Sequence, residues 1–318
     1  PVRCGEGFSL DWLEQVGIKP DKRWLVNQVE AGRMYSPAGH CFKFGAAMGG
    51  NEMGAVIERD IFDKCLAEDA VKAGAKIQLK TACKGLERKN GLVRMAVDHI
   101  GEMKHIECKI VIGADGYESQ VGRWIGIDTT LDPKDIMTCF QYRMIGIDVD
   151  PKINDFYISN AKMPGGYAWV FCKGADTANV GIGVQASRIA EPGAPKRYLD
   201  AFIAEHPHLA QGCATEAVAG GVSVCAPIDR TAADNVMLVG DSARQIDPMT
   251  GGGIANACKA GMVAGRVAAE AGKANDYSSE FFQRYETGWR DLIENVVWRN
   301  YVAKEKVQAM SDETMDKI

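Results

Sequence analysis

VMLVGDSARQIDPMTGGG, residues Val236–Gly253, joins a short apolar run to a glycine triplet. A four-residue run with no polar side chain suits a strand buried on both faces of a central sheet. Gly240 then lets the backbone approach a ligand closely, and Asp241 stands at the strand end, where it can accept hydrogen bonds from sugar-like hydroxyls. Gly251, Gly252 and Gly253 open a small-residue helix predicted over Ile254–Ala271. The free N–H groups and positive dipole end of such a helix form an anion site. A plainer reading is a strand–loop–helix crossover whose glycines only permit tight packing. The acid, the glycine triplet and the helix at this spacing favour the ligand-holding one.

A second segment of the same kind lies upstream. A strand predicted over Lys104–Ile112 runs into VIGADG, placing Ala114, Asp115 and Gly116 at the carboxyl edge of a sheet, where nucleotide-binding folds present an acid. Asp115 reads equally as a helix cap. Before it, Ile61, Phe62, Cys65, Leu66 and Ala70 recur at helical spacing over Glu58–Val71, with Gly74 as the cap and Arg59 at the start, where a surface salt bridge is the ordinary role. Strands are predicted over Lys76–Leu79, Lys84–Glu87 and Leu92–Asp98, the last two joined by an Asn90-Gly91 turn.

From Asp135 to Val184 the pattern is strands and turns, predicting a largely antiparallel sheet from Met137–Ile147, Asp155–Ser159, Gly166–Cys172 and Ala178–Val184. Tyr167, Trp169 and Phe171 alternate and so share one face of a strand, either as core or as the wall of an apolar cavity. Pro195–Glu205 reads as a helix and Ala217–Cys225 as a strand. The tail Ser278–Met310 reads as helix with Trp289, Leu292, Ile293, Val296 and Val297 on one stripe.

With 318 residues the chain has room for about two domains. A net charge of -5 speaks against nucleic acid as a partner. No apolar run approaches the ~18 residues of a membrane span. None of the ten cysteines forms a CxxC pair, which argues against iron–sulfur and structural zinc sites, and so many thiols suit a reducing cytoplasm. Cys4, between Arg3 and Gly5, reads as a spectator thiol unless its loop faces a cofactor. The five histidines show no metal or catalytic spacing.

GDSARQIDPMTGGGI is similar to the GD motif of FAD-dependent oxidoreductases with the p-hydroxybenzoate hydroxylase type of fold, and most of all to its form in the geranylgeranyl reductase family. PVRCGEG resembles the loop after that family's first βαβ unit, IERDIFDKCLAEDAVKAGA its RxxFD helix, VIGADGYESQVGRWIGI its DG segment, and GGYAWVFCKGADTANVGIGV its YxWxF signature. Together these span nearly the whole chain.

The resemblance implies an α/β (α+β) fold: a Rossmann-like FAD/NAD(P)-binding domain, incomplete at its N-terminus, with an inserted, mostly antiparallel substrate domain and a C-terminal helical tail. The expected division is 1–130 and 223–275 for the FAD domain, 131–222 for the substrate domain and 276–318 for the tail. The GxGxxG fingerprint does not occur in this sequence, so roughly 35–45 further residues, the usual extent of a βαβ unit, are expected before Pro1. Arg59, Ala114, Asp115, Gly116, Gly240, Asp241, Gly251, Gly252, Gly253 and Ile254 are implied to contact FAD. Tyr167, Trp169 and Phe171 are implied to line a prenyl-chain tunnel, and Cys4 to face the flavin. Cys172 stands where the family usually has Pro.

The implied reaction saturates isolated C=C bonds of geranylgeranyl chains, on archaeal ether phospholipids, by hydride from reduced flavin N5 plus a proton from Cys4, Tyr167 or a water. Electrons would come from reduced ferredoxin, F420H2 or NAD(P)H. The expected location is cytoplasmic, with peripheral contact at the inner membrane face; the tail helix bearing Trp289 and Trp298 either packs on the protein or touches the bilayer. Two other readings stay open: a flavin monooxygenase or other dehydrogenase of the same fold, which should consume oxygen, and a cofactor-free binding fragment.

Overall fold

The computed structural model describes residues 3–45 and 54–317. Its internal packing divides the chain into two units, one of Pro1–Glu68, Asp132–Val222 and Val302–Ile318, the other of Asp69–Leu131 and Ser223–Tyr301. The chain therefore changes unit at residues 131/132 and 222/223, near the expected edges of the substrate segment. Residues 1–68 differ from expectation: they pack with that segment, not with residues 69–130. Within the tail, the part up to Tyr301 belongs to the second unit and the remainder to the first.

The first unit is built on a seven-stranded sheet in the order Cys213–Ser223, Ile136–Ile145, Thr177–Gln185, Tyr167–Cys172, Ile153–Ile158, Ala31–Tyr35, Cys41–Gly45. The strand Thr177–Gln185 alternates in pattern and sorts the sheet into two faces. Ala178, Val180, Ile182 and Val184 point to a core with Ala168, Val170 and Cys172, which the helix Ala194–Glu205 covers through Leu199 and Phe202. On the other face Asn179, Gly181, Gly183 and Gln185 stand beside Phe171, Trp169 and Tyr167. The sheet is antiparallel as expected through four consecutive strands, but Ala31–Tyr35 pairs in parallel with Ile153–Ile158.

The strand Tyr167–Cys172 runs to its last residue because Cys172 still carries an N–H. That N–H donates to Asn154 Oδ1 at 3.0 Å, and the thiol donates to the Ile153 carbonyl at 3.2 Å. A proline at this position would leave the Asn154 oxygen without that donor. A smaller sheet of Gly7–Phe8, Ala55–Ile57 and Leu25–Gln28 also belongs to this unit. Here Phe8, Trp24 and Phe62 meet edge to face and Trp12 leans tilted on Phe8, with Phe62 supplied by the helix Arg59–Lys72.

In the second unit Val111–Gly113 lies parallel to Val236–Leu238, which pairs with Ala232–Ala233. A meander of Thr81–Lys89, Leu92–His99 and Glu102–Cys108 stands apart from that sheet. The predicted strand Lys104–Ile112 is thus two strands. The chain leaves the meander at Lys109, whose carbonyl accepts from Asn235 Nδ2, to join Val236–Leu238. Lys76–Leu79 is not a strand: residues 71–80 are all exposed, and no described strand lies beside them to take their hydrogen bonds. Ala217–Cys225 shifts to Cys213–Ser223.

The helix Ile254–Ala274 packs against Ser279–Trp289 through Val263, Ala264 and Val267 on one side and Phe282, Tyr285 and Trp289 on the other. Residues Arg290–Glu294 form a π-helical turn that leads into Asn295–Ala309. Trp289, Ile293 and Val297 are buried, as expected, but Leu292 and Val296 are exposed. A fully buried Trp289, its indole donating to Thr231 Oγ1 at 2.9 Å, cannot be a bilayer contact, whereas Trp298 remains exposed.

Candidate active site

In the second unit, the two glycine-rich turns meet at the ends of neighbouring parallel strands. Val239 N and Ser242 Oγ both donate to the Gly113 carbonyl, at 2.9 and 2.8 Å. Gly240 turns with φ +71, and its N–H donates to Gln245 Oε1 at 2.8 Å. Arg244, in the left-handed region at φ +58 and buried, ties the turns together by donating to the carbonyls of Tyr117 and Thr129. Asp247 shapes the loop that follows. Its Oδ1 accepts from Met249 N at 2.9 Å, its carbonyl from Gly251 N at 2.8 Å, and its Oδ2 from Asn300 Nδ2 at 2.8 Å. Burial pushes its carboxyl above the usual range, against the pull of those donors.

Gly253 starts the 21-residue helix Ile254–Ala274, and no side chain caps it. Its first N–H groups therefore face out of the helix end. A Cβ at Gly253 would stand 3.1 Å from Asp241 Oδ1 and 3.4 Å from Ile246. The missing side chain is what lets Asp241 lie against the helix start. Asp241, Gly251, Gly252, Gly253 and Ile254 form a half-exposed cradle around the buried Gly240. The N–H groups of Gly240, Gly251 and Gly252 are spent on Gln245, Asp247 and Thr250, so the donors that could meet an anionic group are those of the uncapped helix start. Asp115 is differently used. Its carboxylate accepts from Ser119 Oγ at 2.8 Å and from the N–H groups of Gln120 and Val121 at 2.7 and 3.0 Å, so it caps the turn that starts Val121–Trp124. Ala114 and Gly116 flank it, Gly116 with φ +82.

In the first unit a second constellation gathers around the loop 3–6; Pro1 and Val2 lie outside the described residues. The Cys4 carbonyl accepts from Gln141 Nε2 at 3.1 Å, and Gln141 Oε1 accepts from the Trp169 indole at 2.9 Å. Gly5 lies on Phe171, where a Cβ would stand 3.2 Å from the ring. The Cys4 sulfur accepts from Glu6 N at 3.2 Å and meets Arg59 Nη1 at 4.0 Å. Arg59 also makes the salt bridge expected of it from the sequence, to Asp63 at 2.6 Å. Desolvation pushes the Cys4 thiol up from its ordinary range, with the Arg59 charge pulling the other way.

Tyr167, Trp169 and Phe171 do share a face, with Phe156 across from them and Phe44 and Cys139 at its margin. Trp169 and Phe171 are buried and Tyr167 is half-buried. Trp169 lies flat over Gly181, where a Cβ would come within 2.3 Å of the indole. Gly183, one pleat along between Cys139 and Tyr167, is buried, and a Cβ there would meet Cys139 Sγ at 3.4 Å, Met137 at 3.7 Å and the Trp169 ring at 3.9 Å, ordinary contact. Nothing in the sequence singles out Gln141, Glu6 or Lys173. Their partners lie too far along the chain for any local pattern to mark them.

A family model of the geranylgeranyl reductase catalytic domain matches residues 135–222. The digeranylgeranylglycerophospholipid reductase of Methanothrix thermoacetophila is 45% identical over 319 residues, covering all of this chain and 81% of its own length. The chain belongs to the geranylgeranyl reductase family. The protein of the same name from Thermoplasma volcanium is 46% identical over 321 residues, again with 81% of its length covered. Among solved structures, a geranylgeranyl bacteriochlorophyll reductase-like protein from Thermoplasma acidophilum superposes with a TM-score of 0.94 at 45% identity, over all of this chain and 80% of its own. The myxobacterial chondrochloren halogenase, an FAD-dependent halogenase, matches at a TM-score of 0.71 and 16% identity, over 92% of this chain and 72% of its own, and shows the fold alone. This family member is thus a reductase on the FAD-binding Rossmann-like fold. Among its described residues no group of His, Cys, Asp and Glu could hold a metal, and no helix is long and apolar enough to cross a membrane.

Proposed function

We propose that this reductase binds FAD in the Gly240–Ile254 cradle and saturates C=C bonds in the geranylgeranyl chains of archaeal ether phospholipids. When bound and reduced, FAD supplies the hydride. The observation that carries the substrate reading is the aromatic face of the sheet, Tyr167, Trp169, Phe171 and Phe156, with the Cys4 loop carried on Phe171. Such a surface offers an extended apolar chain a bed with few polar groups, and it excludes water from an alkene, a poor electrophile. The uncapped start of the helix Ile254–Ala274, with its positive dipole end, neutralises the anionic ring edge. Cys4, a thiol that desolvation makes hold its proton more firmly than an ordinary one, delivers the proton, and Gln141 and Arg59 hold it. Reduced ferredoxin, F420H2 or NAD(P)H serves as external donor, and the protein works at the cytoplasmic membrane face, where its substrate lies.

The test is anaerobic turnover of the full protein with a digeranylgeranylglyceryl phospholipid and chemically reduced flavin, followed by mass spectrometry of the lipid. Stepwise gain of two hydrogens per double bond is expected. Oxygen-dependent hydroxylation of the chain, with no saturated product, would replace this reading with that of a monooxygenase. A full protein that retains no flavin would end the cofactor assignment.

A further inference from the structure

Glu6 is the backbone outlier of the thiol loop. Its φ is +72, a left-handed conformation that residues with a Cβ seldom adopt and that persists only where the surroundings enforce it. The enforcement is visible. Glu6 Oε2 accepts from Lys173 Nζ at 2.7 Å and from Asn179 Nδ2 at 2.6 Å, and Oε1 accepts from the N–H of Arg59 at 2.8 Å. Asn179 also donates to the Gly5 carbonyl at 3.1 Å.

Lys173 is itself buried, its side chain 1% exposed, and its remaining partners are Glu58 Oε2 at 2.9 Å and the Ile57 carbonyl at 3.0 Å. Arg143 holds Glu58 from the other side at 3.0 Å. With Arg59 and Asp63 the group counts three cations and three carboxylates, each cation within reach of a carboxylate. A buried cation is costly unless it is paired and hydrogen-bonded on several sides, as Lys173 is.

The consequence falls on the neighbour two residues back. The Glu6 N–H faces the Cys4 sulfur, and the carboxylate of the same residue fixes the helix start from which Arg59 reaches that sulfur. We propose that Glu6 and Lys173 are positioning residues of the reductase, a buried clamp that holds the loop in its left-handed turn and fixes the Cys4 sulfur beside the aromatic face. The clamp's part in turnover rests on Cys4 as proton donor.

The experiment follows alkylation of individual cysteines by iodoacetamide in the full protein, read by peptide mass spectrometry from neutral to alkaline pH. Cys65, buried on the helix Arg59–Lys72, reports the fold. In Lys173→Met and in Glu6→Gly, Cys4 is expected to label roughly tenfold faster with a midpoint moved to lower pH, as a released thiol gains water and thiolate character. Cys65 stays protected, and kcat falls with little change in KM. Lys173→Arg should recover much of the wild-type Cys4 rate. Glycine adopts the left-handed turn without strain, so Glu6→Gly decides if Lys173→Met fails to fold. Wild-type Cys4 labelling in a folded Glu6→Gly overturns the clamp. Full kcat in Cys4→Ala overturns instead the donor reading and the clamp's catalytic purpose, an outcome that leaves the labelling geometry standing.

Discussion

Gln141 is the residue on which the thiol loop and the aromatic strand converge. It is buried, and its amide spends one end on the Cys4 carbonyl and the other on the Trp169 indole. Gln141→Leu keeps the volume but strands both partners, and each buried unpaired group costs about 1–3 kcal/mol. A fall of that size in unfolding free energy, with kcat lowered, is expected from denaturation curves and turnover. Unchanged stability would show that water replaces the amide. Cys172 makes a pH-dependent prediction. Burial pushes its thiol up to about 12. The folded thiol keeps its proton where the unfolded one loses it, so this contribution to stability is present below the ordinary thiol range and is lost as pH rises through it. Between about pH 8 and 10 the loss is about 1.4 kcal/mol, one pKa unit's worth. Cys172→Val should lose less stability than wild type over that range in paired thermal melts.

At the scale of elements, two glycines make separate predictions. A Cβ at Gly253 presses on Asp241 at the helix start, so Gly253→Ala should weaken flavin binding about tenfold, about 1.4 kcal/mol, with the fold intact by circular dichroism. Fluorescence titration measures it; wild-type affinity would remove the cradle from that edge of the cofactor. At Gly183 an added Cβ would be in ordinary contact with Cys139 Sγ at 3.4 Å, Met137 at 3.7 Å and the Trp169 ring at 3.9 Å, so anything larger crowds the aromatic face. Gly183→Val should therefore lose about tenfold in kcat/KM on full-length prenyl chains, about 1.4 kcal/mol of transition-state binding, with shorter chains less affected. Equal losses on both would place the chain elsewhere.

These elements also show what can be read in advance. The alternation of Tyr167, Trp169 and Phe171 and the GD–glycine–helix spacing are local patterns, with periods and turn residues that survive in one dimension. The tail stripe is half legible: a regular 3.6-residue period puts Leu292 and Val296 beside Ile293 and Val297, whereas the π turn at Arg290–Glu294 rotates the helix and leaves them exposed. The strands before residue 58 are two to five residues long, too short for a period to show. Arg244 is buried on the carbonyls of Tyr117 and Thr129, partners that lie more than a hundred positions before it. The clamp of Glu6, Lys173 and Glu58 joins residues more than a hundred positions apart, and no spacing encodes it.

At the scale of the molecule, the first unit takes its last segment from the far end of the chain. Lys304, on the helix Asn295–Ala309 and buried, donates to Asp135 Oδ1 at 3.2 Å, while Asp312 accepts from Ser159 Oγ and Asn160 N at 2.6 Å. Lys304→Met removes the better-placed cation from a largely buried carboxylate, and breaking such a pair costs about 3–5 kcal/mol. Adding Asp135→Asn should recover much of that loss, as measured by denaturant midpoints. Equal destabilisation in single and double variants would mean that the lysine stem, not its charge, holds the segment.

That return segment sets an order of events during synthesis. Residues 223–301, which complete the second unit, leave the ribosome before residues 302–317 do. At about 5–20 residues per second, the unit carrying the thiol loop and aromatic face waits for nearly the whole chain, although its first strands are made first. Until then Asp135, Ser159 and Asn160 lack the partners that Lys304 and Asp312 bring. Slower translation of the last segment should lengthen that interval.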